Sequence, residues 1–152
     1  MLKLIASILI CQGAGLLGSI FTTPNIKTWY ASLIRPDIAP PNWVFGPVWT
    51  LIFTLMGISL YLLWRNDFKG AKLALLFFVI QIVLNIFWSV LFFGLHNPFW
   101  SFIEIIVLLI FIILTAIYFW KAHTWAGALF IPYVLWVSFA SILNFEFWRL
   151  NS

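Results

Sequence analysis

Charge is what this chain has least of. Aspartate and glutamate number four between them, lysine and arginine eight, and charged residues fill 8% of the 152 positions, against about a quarter in soluble domains. A water-soluble globule of this size needs more polar surface than that. With 64% hydrophobic and 20% aromatic residues, the uncovered apolar area would drive association. The composition is that of an integral membrane domain, taken as one unit over residues 1–152. The formal charge of +4 reflects the scarcity of acids rather than a basic patch, so nucleic acid is not implied. Cysteine is nearly absent too. Cys11 stands alone, which excludes an internal disulfide and a cysteine zinc cluster. No His/Cys/carboxylate group has metal-binding spacing, and no metal is expected. His96 and His123 fall in connections on opposite sides of a hydrocarbon core about 30 Å thick, so one chain cannot grip a haem iron with both.

What the chain has in abundance is long apolar runs. A helix needs about 20 mainly apolar residues to cross a bilayer. Five stretches qualify: 4–23, 46–64, 73–95, 99–120 and 125–148. Lys3 and the apolar run behind it resemble a secretion signal, but no A-x-A-like cleavage site follows, and the run is read as the first span. Asn66 to Lys72 form a polar break, and His96-Asn97-Pro98 a tight turn with proline suited to a helix start. Barrel-type alternation is missing, so the spans are helices. Short connections make successive helices antiparallel neighbours. The fold class is therefore an all-α integral membrane bundle of five transmembrane helices. Lys3, Arg65, Lys69, Lys72 and Lys121 lie on one side, Lys27, Arg35 and Arg149 on the other, a bias that places the N-terminus in the cytoplasm. Trp29, Trp43, Trp64, Trp100, Trp120, Trp125 and Trp148 fall near span ends, where indoles anchor at the interface.

Several motifs test the chemistry. Gly13 to Gly18 read GAGLLG, a formal G-x-G-x-x-G match without the preceding strand or the following acid of a dinucleotide site. In a membrane helix, Gly15 with Ser19, or Ala14 with Gly18, instead permits close helix approach. Glu104 and Glu146 are the only acids inside the spans. Glu104 lies within two turns of a helix start and Glu146 three residues before Arg149, so both are expected at the interface, the latter paired. In the third span Gln81, Asn85, Trp88 and Ser89 share one face, and in the last Pro132, Trp136, Ala140 and Asn144 repeat a four-residue spacing. A lipid-facing amide is costly, so both stripes point inward. Spacing alone leaves interhelical hydrogen bonding and a pocket lining equally open. Trp49 and Phe53, one turn apart on the second span, favour a pocket: Trp49, Trp88 and Trp136 from three helices, with Asn85 nearby, would wall a cavity for a planar aromatic guest.

The long first connection, residues 24–45, runs into the second span through RPDIAPPNWVFGPVWT (35–50), which holds four of the seven prolines. This segment, QIVLNIFWSVLFFG (81–94) and PYVLWVSFASILNFEFW (132–148) together resemble the TspO/MBR family of tryptophan-rich sensory and translocator proteins, over nearly the whole chain. The resemblance implies a first loop acting as a lid over a pocket within the bundle. It implies a membrane receptor or sensor for tetrapyrroles such as protoporphyrin IX and haem, and for drug-like aromatic ligands. No cofactor is obligatory; the tetrapyrrole is ligand. By motif, Tyr30, Pro41, Asn85, Trp88 and Ala140 match pocket positions. Trp49 in GPVWT and Trp136 in PYVLW match the two tryptophans implicated where members degrade porphyrin in light. Such degradation, or porphyrin or sterol transport, are the alternatives; no deep charge or evident inverted repeat supports a transporter. Cholesterol, bound by animal members, is not supported: Phe145 stands where their tyrosine precedes the basic residue, here Arg149. A homodimer through small residues on the third span, reported in some members, lacks a small-xxx-small pair in 73–95.

Pro36, Pro40 and Pro41 fix their own φ and hold their predecessors extended, which stiffens the loop by composition.

Overall fold

The computed structural model describes residues 1–152, and its regular elements are all helical. They are α1 (Leu2–Ile26), α2 (Trp29–Ser32), α3 (Phe45–Trp64), α4 (Lys72–Ser89), α5 (Pro98–Ala122), α6 (Thr124–Ala128) and α7 (Ile131–Asn151), with a 3-10 turn at Asn42–Val44 and a π-helical turn at Val90–Gly94. Five stretches are long and apolar enough to cross a membrane: Leu2–Ile26, Asn42–Trp64, Lys72–Gly94, Pro98–Ala122 and Thr124–Asn151. The protein is a multi-pass integral membrane bundle of five helices.

The helix ends follow local chemistry. Asn97 Oδ1 accepts the backbone N–H of Trp100 at 3.1 Å, with Pro98 opening α5, so cap and proline act together. Pro47 occupies the first turn of α3, where its missing N–H would have found no helical acceptor. The last span departs from expectation. Instead of one helix over 125–148, it divides into α6 and α7 around Leu129 and Phe130. Pro132 explains the division: it cannot donate to the carbonyl of Ala128, and its ring crowds that oxygen. α6 is tied to α3 by Ser59 Oγ, which donates to the Ala126 carbonyl at 2.5 Å.

The spans close into a ring in which α1 packs on α3 and α4, α5 on α4 and α7, and α3 on α6. Glycines set the nearest approaches. A Cβ on Gly57 would lie 2.6 Å from Ile8 Cα, and one on Gly15 would lie 2.7 Å from the Phe53 ring. The GAGLLG segment thus packs α1 on α3 as expected of a membrane helix. Leu76, Val79 and Val83 on α4 and Ile106, Ile110 and Ile113 on α5 face outward, toward acyl chains. Trp43, Trp100, Trp120 and Trp125 are exposed near span ends, as anchors should be. Glu146 pairs with Arg149 at 2.5 Å, the expected i,i+3 contact.

Glu104 is turned into the bundle. It shares the buried stripe of α5 with Ser101, Ile105 and Leu108. At 7% exposure, neither of its carboxyl oxygens has a hydrogen-bond partner. Its position on the helix face, not its distance from the helix end, decided its burial.

Candidate ligand-binding site

The upper half of the ring, on the side of the first loop, encloses a cavity of about 490 Å³, within the range of about 300–1,000 Å³ typical of small-molecule sites. Its formation begins on α1. From Ile8 to Gly15 this helix lies against α3. Further along it turns to α4 instead, where a Cβ on Gly18 would sit 3.1 Å from Ser89 Oγ and one on Gly94 3.1 Å from the Phe21 ring. The space left between α1, α3, α4 and α7 is the cavity.

Aromatic side chains form its walls. Trp49 stacks on Phe53 (centroids 5.6 Å apart, planes at 29°) and meets Tyr133 edge-on at 6.2 Å. Trp136 is edge-on to Phe45 at 5.9 Å. Trp88 stacks on Phe92 at 5.1 Å and 16°. The π-helical turn makes that last contact possible. Leu95 N–H reaches back to the Val90 carbonyl at 2.8 Å, and the wider turn brings both Phe92 and Phe93 inside; such turns often mark functional sites. Tyr30, carried by α2, sits against Phe93 and Phe147 at 5.7 and 5.2 Å. Burial lifts its phenol above the ordinary range, with the Arg35 charge opposing, so it is present as a neutral hydroxyl.

A polar layer holds these walls. Asn85 Nδ2 donates to Tyr133 Oη at 2.7 Å; Tyr133 Oη donates to Gln81 Oε1 at 3.0 Å; Gln81 Nε2 reaches Met56 Sδ at 3.3 Å. The Trp88 indole N–H donates to Asn144 Oδ1 at 2.9 Å, and Asn144 Nδ2 donates to the Pro98 carbonyl at 2.8 Å. Of the two amides on α4, Asn85 therefore serves as an interhelical bond and as cavity lining at once, whereas Gln81 is fully buried behind it. Trp136 Nε1 is buried without an acceptor. The lid is braced internally: Arg35 donates to Asn42 Oδ1 at 2.9 Å and to the Pro40 carbonyl.

Of the residues expected at the site, Tyr30, Trp49, Phe53, Asn85, Trp88, Trp136 and Ala140 all line the cavity. Pro41 does not. It lies exposed in the loop, where its carbonyl accepts Val44 N–H at 3.0 Å, and the following residues Asn42 and Trp43 contribute to the lining instead. Of the stripe expected on the last span, Trp136, Ala140 and Asn144 line the cavity; Pro132 is exposed, and a buried row runs beside the stripe through Tyr133, Val137, Ser141 and Asn144. Tyr133 lies on the neighbouring buried face of α7, which the four-residue spacing through Trp136 and Ala140 leaves out. Its hydroxyl beside an apolar run was the available signal. Gln12, Ser19 and Thr22 also border the cavity, although α1 reads from sequence only as a packing helix. His96 and His123 are brought to no common site. His96 stacks on Trp29 (4.5 Å, 14°) and bonds Asn25 Oδ1 at 3.0 Å.

A five-helix membrane bundle with an aromatic cavity beneath a proline-rich loop defines a class of small membrane proteins built around an internal pocket. The chain belongs to the TspO/MBR family, whose sequence model matches residues 7–149. It is 46% identical over 151 residues to the "Tryptophan-rich protein TspO" of Archaeoglobus fulgidus, covering 99% of this chain and 98% of that protein. Likewise it is 38% identical to "Protein CrtK" of Rhodobacter capsulatus (93% and 88% covered) and 32% identical to the "Translocator protein" of Ovis aries (94% and 86%). Of these three, the last is named as a translocator.

Proposed function

We propose that this protein is a membrane receptor or sensor that binds tetrapyrroles, protoporphyrin IX or haem, and related flat aromatic ligands in the cavity under its first loop. One observation carries the reading: indoles from three helices, Trp49, Trp88 and Trp136, border a single cavity. Stacking on such rings contributes about 0.5–1.5 kcal/mol per aromatic pair beyond burial. One polar feature supports it further: Asn85 Oδ1 accepts from no protein donor, leaving an acceptor for a pyrrole N–H. No iron ligand is needed. The lysine and arginine bias, five against three, supports a cytoplasmic N-terminus.

Protoporphyrin IX titrated into the purified protein is expected to quench its tryptophan fluorescence saturably, with Trp49→Ala and Trp136→Ala each weakening binding about tenfold at unchanged helicity. Wild-type affinity in both variants would sink the assignment. Light-driven porphyrin degradation is the second reading, favoured by the same two indoles. Loss of the porphyrin absorption band under illumination, dependent on Trp49 and Trp136, separates it from passive binding.

A further inference from the structure

None of the 26 residues around the cavity is charged. A free porphyrin carries its carboxylates at the ring edge, and an ion moved into such a space without a partner meets a desolvation cost far above any stacking gain. The cavity is not sealed, however. Leu16 and Thr23 of α1 and Trp43 and Thr50 at the start of the second span border it and are also exposed. Toward the loop, therefore, α1 and α3 leave a slot facing outward. Lys27 follows the lining residue Ile26 and is exposed. Arg35, by contrast, is already engaged by Asn42 and Pro40.

We infer that the site takes its guest hydrophobic edge first and admits only molecules whose charges gather on one side, left at the slot between α1 and α3 beside Lys27. This rests on the tetrapyrrole reading above and narrows it. A macrocycle with carboxylates on a single edge fits. One with carboxylates on all sides must bury at least one of them and is rejected on charge, not on size. Neutralising those groups restores binding even though the molecule becomes larger.

The test uses full-length protein in lipid nanodiscs, with protein-free nanodiscs subtracted for partitioning. Protoporphyrin IX, coproporphyrin (four carboxylates, one on each pyrrole) and coproporphyrin tetramethyl ester are titrated in parallel. Protoporphyrin IX and the tetramethyl ester are expected to bind, and free coproporphyrin at least about tenfold more weakly than its ester. Coproporphyrin binding as tightly as the ester overturns the charge rule. Rejection of both coproporphyrin forms alike also overturns it, since size would then decide. If protoporphyrin IX itself does not bind, the tetrapyrrole reading fails instead. Lys27→Glu is expected to weaken protoporphyrin IX and leave the tetramethyl ester unaffected; an equal effect on both removes Lys27 from the slot.

Discussion

The side-chain amide of Asn151 pairs with both edges of the Ile34 peptide unit. Ile34 N–H donates to Asn151 Oδ1 at 2.8 Å, and Asn151 Nδ2 donates to the Ile34 carbonyl at 3.0 Å and to Phe147 at 2.9 Å. The end of α7 thereby clasps the loop over the cavity, as a strand neighbour would. Asn151→Ala removes both bonds at net costs of about 0.5–1.5 kcal/mol each. The amide of Ile34 should then exchange about tenfold faster or more, and guest should leave faster, with little change in global melting. Unchanged exchange at Ile34 would show the clasp to be dispensable.

Gly57 and Gly13 give opposite predictions from the same substitution. A Cβ at Gly57 meets backbone, Ile8 Cα at 2.6 Å, whereas nothing lies within 4 Å of one at Gly13. Gly57→Ala must push α1 off α3 and should destabilise by about 1–3 kcal/mol. Gly13→Ala should be neutral or stabilise by up to about 1 kcal/mol, because alanine restricts the unfolded chain. Thermal melts in detergent decide; similar midpoints for the two variants contradict the packing described.

Asn144 joins Trp88 to the start of α5. Asn144→Leu leaves the Trp88 N–H without its acceptor, while the Pro98 carbonyl keeps the Ser101 hydroxyl, a loss of about 1–3 kcal/mol. The Trp88 ring also loses the bond that orients it toward the cavity. Both the melting temperature and protoporphyrin affinity should fall; a fall in stability alone would make Asn144 a packing residue only.

Glu104 offers a gain. Its carboxyl oxygens are buried without a hydrogen-bond partner, and replacing an uncompensated buried polar group by an apolar one of similar volume is neutral or stabilising. Glu104→Met should melt no lower than wild type. A clear drop would mean that the carboxyl has an interaction in the membrane that its surroundings do not reveal.

Much of this architecture was legible before any coordinates. Hydropathy runs and the breaks at 66–72 and 96–98 placed five spans, because a bilayer tolerates only segments that satisfy their own backbone. Trp49, Trp88, Trp136 and Asn85 were recognisable because indoles and amides are costly against lipid and must turn inward. Tyr133 and the position of Glu104 were less readable. Successive residues of a helix point about 100° apart, so a spacing that joins Trp136, Ala140 and Asn144 does not report on Tyr133 one face over. Pro41 entered by motif alone, since a loop's side chains have no periodicity from which to infer direction.

What the amino-acid order determined alone is the medium, the number of crossings and the stiffness of the first loop, all consequences of transfer free energies and proline geometry acting locally. Which helices adjoin, and hence that three distant indoles face one uncharged space, was decided only in three dimensions. The turning of α1 from Phe53 to Ser89 at two glycines, the widened turn after Ser89 and the reach of Asn151 to Ile34 all depend on partners far along the chain, and a linear pattern holds no record of which partner is met.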